Sequence, residues 1–222
     1  QDVLKEIVNG KTGYQLTFRT IYGEVDLMEG NFISDPALTD IYPEAYLNWL
    51  NTEEGNWGKQ KIINRAKIVK AVNPTLYNFL RPPYETDEAM FRAIQEVIKI
   101  RMNTVAKFLS DHNAILLFAT DGVAMNMSTN PPGYNGFLEM QHWVEAGIPL
   151  EKIFIAATYN NANAFNLDDK YGTIEKGKIA NLVLLNKDPL QSISAYNQIH
   201  TVIVRGKAHS RNTLSANSNK SH

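Results

Sequence analysis

The stretch TDEAMFRAIQEVIKIRMNTVAKFLSDHNAILLFATDG, residues 86–122, decides how this chain is read. Thr86 carries the hydroxyl that an N-cap needs, and Asp87 and Glu88 fall in the first turn, where the helix dipole favours carboxylates. Met90, Phe91, Ile94, Val97, Ile98, Met102, Val105, Phe108 and Leu109 recur at three- and four-residue spacing and form one apolar stripe. Asp111, His112 and Asn113 make a polar turn, and residues 114–119 are an unbroken apolar run, read as a strand buried on both faces. A long helix, a short turn and a fully apolar strand point to an α/β unit with parallel strands. The strand ends in Thr120-Asp121-Gly122.

Outward from this unit the pattern is less regular. Residues 123–136 read as a loop, with helices predicted over 137–146 and 149–164; Pro149 is acceptable in a first turn. Residues 179–185 and 201–204 read as strands, and 207–222 as a polar tail. Upstream, 36–50 and 59–67 have helical spacing, while 68–72 is a β-branched run stopped by Asn73-Pro74 and reads as a buried strand. Residues 17–22 and 24–28 have strand character interrupted by Gly23 and Gly30.

The 222 residues hold 22 Lys+Arg against 23 Asp+Glu, a net charge of -1, which argues against a nucleic-acid partner. The longest strictly apolar run, 114–119, is far short of the roughly 20 residues of a membrane helix, so no membrane partner is expected. The absence of cysteine excludes a disulfide scaffold, a thiolate metal site and a cysteine nucleophile, and it leaves the compartment open. Gln1 opens the sequence without an initiator methionine, and the chain is read as a piece of a longer protein.

Asp121 is the leading candidate for chemistry. In a (β/α) barrel the C-terminal end of each strand faces the active site. A carboxylate there can ligate a divalent metal, or move a proton from water to a leaving group. The rival reading is an ordinary Asp-Gly turn. Asn126, Met127, Ser128 and Tyr134 follow on a loop of the kind that shapes a substrate pocket, with a plain connector as the alternative. No two of the 5 histidines have His-x-His or His-x-x-x-His spacing, so each reads as a surface or capping residue. Residues 172–178 lack the phosphate-loop spacing and read as turn chemistry. No Gly-x-Ser-x-Gly elbow supports a serine hydrolase. Glu29 ranks below Asp121 as a strand-end acid.

Several motifs in linked order carry a resemblance. Thr120-Asp121-Gly122, Glu139, Val144-Glu145-Ala146-Gly147-Ile148-Pro149 and Ala156-Ala157-Thr158 lead into Gly172-Thr173-Ile174-Glu175-Lys176-Gly177-Lys178-Ile179-Ala180-Asn181-Leu182-Val183-Leu184-Leu185 and Asp188-Pro189-Leu190. Together they resemble the metal-dependent amidohydrolase superfamily, on its imidazolonepropionase-like branch, firmly over 114–207 and more loosely over 24–113. The resemblance implies the C-terminal part of a (β/α)8 TIM-like barrel over 1–177. Strands of a small composite β-sandwich would follow over 178–207, and a polar tail over 208–222. It gives Asp121 the role of the eighth-strand aspartate, a metal ligand and proton shuttle, and makes Asn126, Ser128 and Tyr134 substrate contacts.

The same resemblance implies hydrolysis of a C–N bond in a small amide, cyclic amide or dipeptide. The complete enzyme would carry a divalent metal, zinc by expectation. The departures bear on that. The family's first-strand His-x-His has no counterpart here. Residues 23–30 resemble the sixth strand but pass from Glu29 to Gly30 without the usual histidine. Phe137 stands where many relatives have histidine, and Asn181 where the usual residue is aspartate. With Asp121 as its one recognisable ligand, the chain is expected to be inactive alone and to need a missing N-terminal half or a second copy as partner. The alternatives are a non-catalytic assembly or binding module of the same fold, and a barrel hydrolase in which Asp121 is a base without metal.

Overall fold

Thr86 starts the longest helix as its spacing predicts: its hydroxyl accepts the Ala89 N–H at 3.1 Å. In this computed structural model, which describes residues 2–122 and 128–216, nine helices and five strands are found among the described residues. They run in the order α1 (Asp2–Asn9), β1 (Tyr14–Leu16), α2 (Arg19–Glu29), α3 (Glu44–Leu50), α4 (Trp57–Val72), α5 (Pro74–Leu80), α6 (Asp87–Asp111) and β2 (Leu116–Phe118). After these come α7 (Tyr134–Glu145), α8 (Leu150–Ile155), α9 (Asn161–Ala164), β3 (Leu182–Leu185), β4 (Ile199–Val204) and β5 (Lys207–Ser210). The architecture is α/β with a small antiparallel sheet.

The end of α6 explains how the chain reaches β2. Asn113 adopts φ 56°, the left-handed conformation that asparagine tolerates. The Ala114 N–H then donates to the Leu109 carbonyl at 2.9 Å and the Asn113 N–H to the Ser110 carbonyl at 3.1 Å, which satisfies the last carbonyls of the helix. β2 pairs in parallel with β1, with Tyr14 opposite Leu116 and Leu16 opposite Phe118. Leu116 is buried, while Leu117 and Phe118 are half-buried, so the strand is less enclosed than its apolar run predicts. Its other edge is covered by side chains: Asn161 bonds both the N–H and the carbonyl of Phe118 at 3.0 and 2.8 Å, and Asn160 donates to the Leu116 carbonyl at 3.0 Å. These asparagines lie where a π-helical turn, Ala156–Asn160, interrupts the helix predicted over 149–164.

The main core lies between the parallel pair and helices α2, α6, α7 and α8. It is built on Leu16, Phe18, Leu109, Leu116, Trp143 and Ile153, all buried. A two-residue turn, Arg205-Gly206, with φ 49° and 80°, folds β5 back on β4, the positive-φ geometry that suits a tight hairpin. β3, β4 and β5 form a single three-stranded antiparallel sheet, with a bulge between Leu184 and Leu185.

Three expectations are corrected. Residues 17–22 and 24–28 are not strands, and 23–30 is not a barrel strand: α2 takes up Arg19–Glu29, with Phe18 before it and Gly30 ending it at φ 78°. Its buried residues, Arg19, Tyr22, Gly23, Glu24, Leu27 and Met28, lie around most of the helix, which packs against α4, α6 and α7. Residues 68–72 are the last turns of α4 rather than a buried strand. Ile68 is 59% and Val72 80% exposed, so β-branching without burial does not fix a strand. The polar tail begins later than residue 207, because β5 pairs with β4 there. Beyond it, the Ala216 N–H donates to the Asp40 carbonyl at 2.8 Å.

Candidate functional site

Parallel pairing puts the residues that follow β1 and β2 at one end of the sheet, and there the polar groups converge. Phe18 and Arg19 follow β1 directly. The first N–H groups of a helix lack intrahelical acceptors, and here the buried Glu139 carboxylate of α7 supplies them. It accepts from the Phe18 N–H at 2.9 Å, the Arg19 N–H at 2.8 Å and the Trp143 indole N–H at 2.8 Å. Burial pushes the Glu139 carboxyl above its ordinary range; these three donors and the Arg19 charge pull the other way.

The Arg19 side chain is 1% exposed, and its donors are distributed among named partners. Nε donates to Asn135 Oδ1 at 3.0 Å and Asn130 Oδ1 at 3.2 Å. Nη1 bonds Asp26 Oδ2 at 2.7 Å and lies 3.2 Å from His142 Nε2, and Nη2 donates to the Thr129 carbonyl. His142 places Nδ1 2.9 Å from Glu145 and stacks on Tyr22 at 3.9 Å between ring centroids. Burial lowers its proton affinity and Arg19 adds to that, against Glu145 and Asp26. A neutral ring with its proton on Nδ1 fits both contacts. His142 is therefore a largely buried member of this cluster, not a surface residue.

Asp121 follows β2 with φ 48°, a left-handed turn that aspartate accommodates. Its side chain is exposed and, among the described residues, enters no ion pair or side-chain hydrogen bond. Its neighbours Thr120 and Gly122 line an open recess of ≈ 450 Å³ together with Asn130, Pro131 and Asn135. The other residues expected at the site diverge. Ser128 is buried. Tyr134 donates its hydroxyl to Asp35 at 3.0 Å and is pushed up to about 12, first by burial and then by that bond. It lines a separate pocket of ≈ 340 Å³ against Phe137, Tyr196 and Val202 of the small sheet. Asn126 lies outside the described residues. Among the described residues no group of three or more His, Cys, Asp or Glu is placed to hold a metal ion. A metal therefore does not fit these residues by themselves, and no step is derived through one.

The sequence reading missed Arg19, Asn130 and Asn135. The one local signal was the Asn-Pro-Pro-Gly-Tyr-Asn run of residues 130–135, polar groups on rigid backbone.

Comparison with known proteins assigns the class. The amidohydrolase family profile matches residues 61–209, from α4 through β5, and the chain belongs to that enzyme family. One relative in particular is the imidazolonepropionase of Christiangramia forsetii. It is 30% identical over 108 residues, a segment that makes up 47% of this chain and 26% of the relative. The chain thus spans about a quarter of that relative's length. Among solved structures, molinate hydrolase is 23% identical, with 51% of this chain and 27% of that chain covered and a TM-score of 0.46. A Xaa-Pro dipeptidase with bound methionine is 20% identical, with 67% and 33% covered and a TM-score of 0.46.

Proposed function

We propose that the protein hydrolyses the C–N bond of a small amide, cyclic amide or dipeptide at the end of β2, with Asp121 as the proton-transfer group. The observation that carries this is the position of Asp121: three residues past the end of parallel β2, in a left-handed turn, exposed, between two residues that line a recess. Family membership over 61–209 supports the reaction class. Water adds to the acyl carbon while the Asp121 carboxylate takes its proton. The same proton is then given to the nitrogen as the C–N bond breaks, leaving a carboxylic acid and an amine. Of the substrate contacts expected on the segment after Asp121, Asn126 is kept in the proposal, whereas Ser128 is buried and Tyr134 lines the other pocket.

On this reading residues 1–177 contribute to a (β/α)8 barrel, and the strands after 178 to a small β-sandwich. The family is generally metal-dependent, and a divalent ion, zinc by preference, would draw its remaining ligands from outside the described residues. A missing N-terminal half or a second copy is the proposed partner.

The absence of a ligand cluster among the described residues favours a second reading, a non-catalytic assembly or binding module of the same family. Incubating the protein with dipeptides and cyclic amides, alone and together with the proposed N-terminal half, with and without added zinc, separates the two. Release of equal amounts of carboxylate and amine is expected when both the partner half and zinc are supplied, and none from the chain alone. No release under any condition would leave the module reading, and release that survives chelator would make Asp121 a base acting without metal.

A further inference from the structure

Asn135 is 3% exposed and half satisfied. Its Oδ1 accepts from Arg19 Nε at 3.0 Å, whereas its Nδ2 is buried and, among the described residues, has no hydrogen-bond partner. The orientation of the amide is not free to change. Arg19 has only donors to offer, so the oxygen must face Arg19 and the NH2 must face away. The NH2 lies on the Gly122 side, at the margin of the recess that Asn135 and Gly122 both line. A Cβ built on Gly122 would lie 3.4 Å from Asn135 Nδ2 and 2.9 Å from Thr120 Oγ1, so both polar atoms look onto the side of Gly122 that carries no side chain. Thr120, Gly122 and Asn135 all line the ≈ 450 Å³ recess, and Pro131 and Pro132 give it apolar wall.

A buried N–H without an acceptor is costly, and native structures seldom leave one without a reason. The donor, the neighbouring hydroxyl and the unsubstituted face of Gly122 describe a receptor for one acceptor oxygen attached to a small apolar body. We propose that this recess binds the acyl oxygen of the substrate, the amide carbonyl and then the carboxylate it becomes, with Asn135 Nδ2 as donor and Thr120 Oγ1 as its neighbour. Arg19 acts behind it as a positioning residue, holding the amide so that its NH2 meets the ligand. The proposal rests on the reading of the Asp121 end as the substrate site, and it adds the group that orients the acyl carbon there.

The test is binding, which needs neither metal nor turnover. Propionamide, propionate and propylamine are titrated into the isotope-labelled protein while the Asn135 side-chain NH2 resonances are followed. Saturable shifts with propionamide or propionate, and none with propylamine, are expected. Gly122→Ala puts a methyl against Asn135 Nδ2 at 3.4 Å and 2.9 Å from Thr120 Oγ1, the end of a side chain that can turn away, so the fold is retained while the face beside the donor is blocked. Asn135→Asp keeps the acceptor for Arg19 and removes the donor. Each variant should weaken binding about tenfold, the effect of one lost hydrogen bond. Silent Asn135 resonances, or Gly122→Ala binding as the wild type does, would overturn the proposal. Hydrolysis with silent Asn135 resonances removes the acyl-oxygen site alone. Binding without hydrolysis when zinc and the proposed partner half are both supplied removes the hydrolase reading alone.

Discussion

The Glu139 carboxylate accepts the main-chain N–H of Arg19 at 2.8 Å although 120 residues separate the two in sequence. This bond, with its companion to Phe18, fixes where α2 begins relative to α7. Arg19 is thereby held so that its guanidinium reaches Asn130, Asn135 and Asp26 at once. The end of the parallel sheet that presents Asp121 is built around this carboxylate.

Replacing Glu139 with glutamine turns an all-acceptor group into one that also points an NH2 at a main-chain N–H. The orphaned donor should cost about 2 kcal/mol. Urea denaturation measures it; an unchanged midpoint would show that the carboxylate does not anchor α2.

Gly23 is where the 128–130 segment presses on α2. Thr129 Oγ1 donates to the Gly23 carbonyl at 2.6 Å, and a Cβ on Gly23 would come within 2.3 Å of Asn130 Oδ1. Gly23→Ala should therefore destabilise the fold by about 2 kcal/mol through overpacking, despite alanine's better helix propensity. A stabilised variant in the same denaturation assay would contradict the packing.

His142 sets a pH dependence. Because the fold lowers its proton affinity from the ordinary 6.5, the unfolded chain takes the proton more readily. The stability it contributes is complete above 6.5 and falls as pH drops through that value towards the folded one. Protonation would put an N–H where Nε2 now accepts from Arg19. The wild-type thermal midpoint should fall more steeply on mild acidification than that of His142→Gln. Parallel curves would remove His142 from the account.

What could be read from the sequence was local. Thr86, the stripe of α6 and the apolar run before Asp121 each carry their signal within a few residues, and the structure has a helix and a strand there. α2 was misread because Gly23 and Gly30 look like strand breaks. One is a close-packing site and the other a helix end, and both roles depend on partners distant in sequence. Likewise the β-branched run at 68–72 looks like a strand until its exposure is known. That Asp121 follows the apolar strand was legible from its motif. The polar cluster behind it was not, because Arg19 meets Asn130 and Asn135 across separations of 111 and 116 residues. His142 gave no hint of burial because its partner Arg19 lies 123 residues away.

The central claim, that Asp121 moves the proton, is tested most directly by the turnover of Asp121→Asn beside the wild type under the zinc-supplemented conditions in which the wild type hydrolyses its best amide. Exposed and, among the described residues, without a side-chain partner, Asp121 can be changed with a stability effect within about 0.5 kcal/mol, so any loss reports chemistry. The account predicts a fall in kcat of about a hundredfold or more with the unfolding midpoint unmoved. Turnover close to that of the wild type would contradict it.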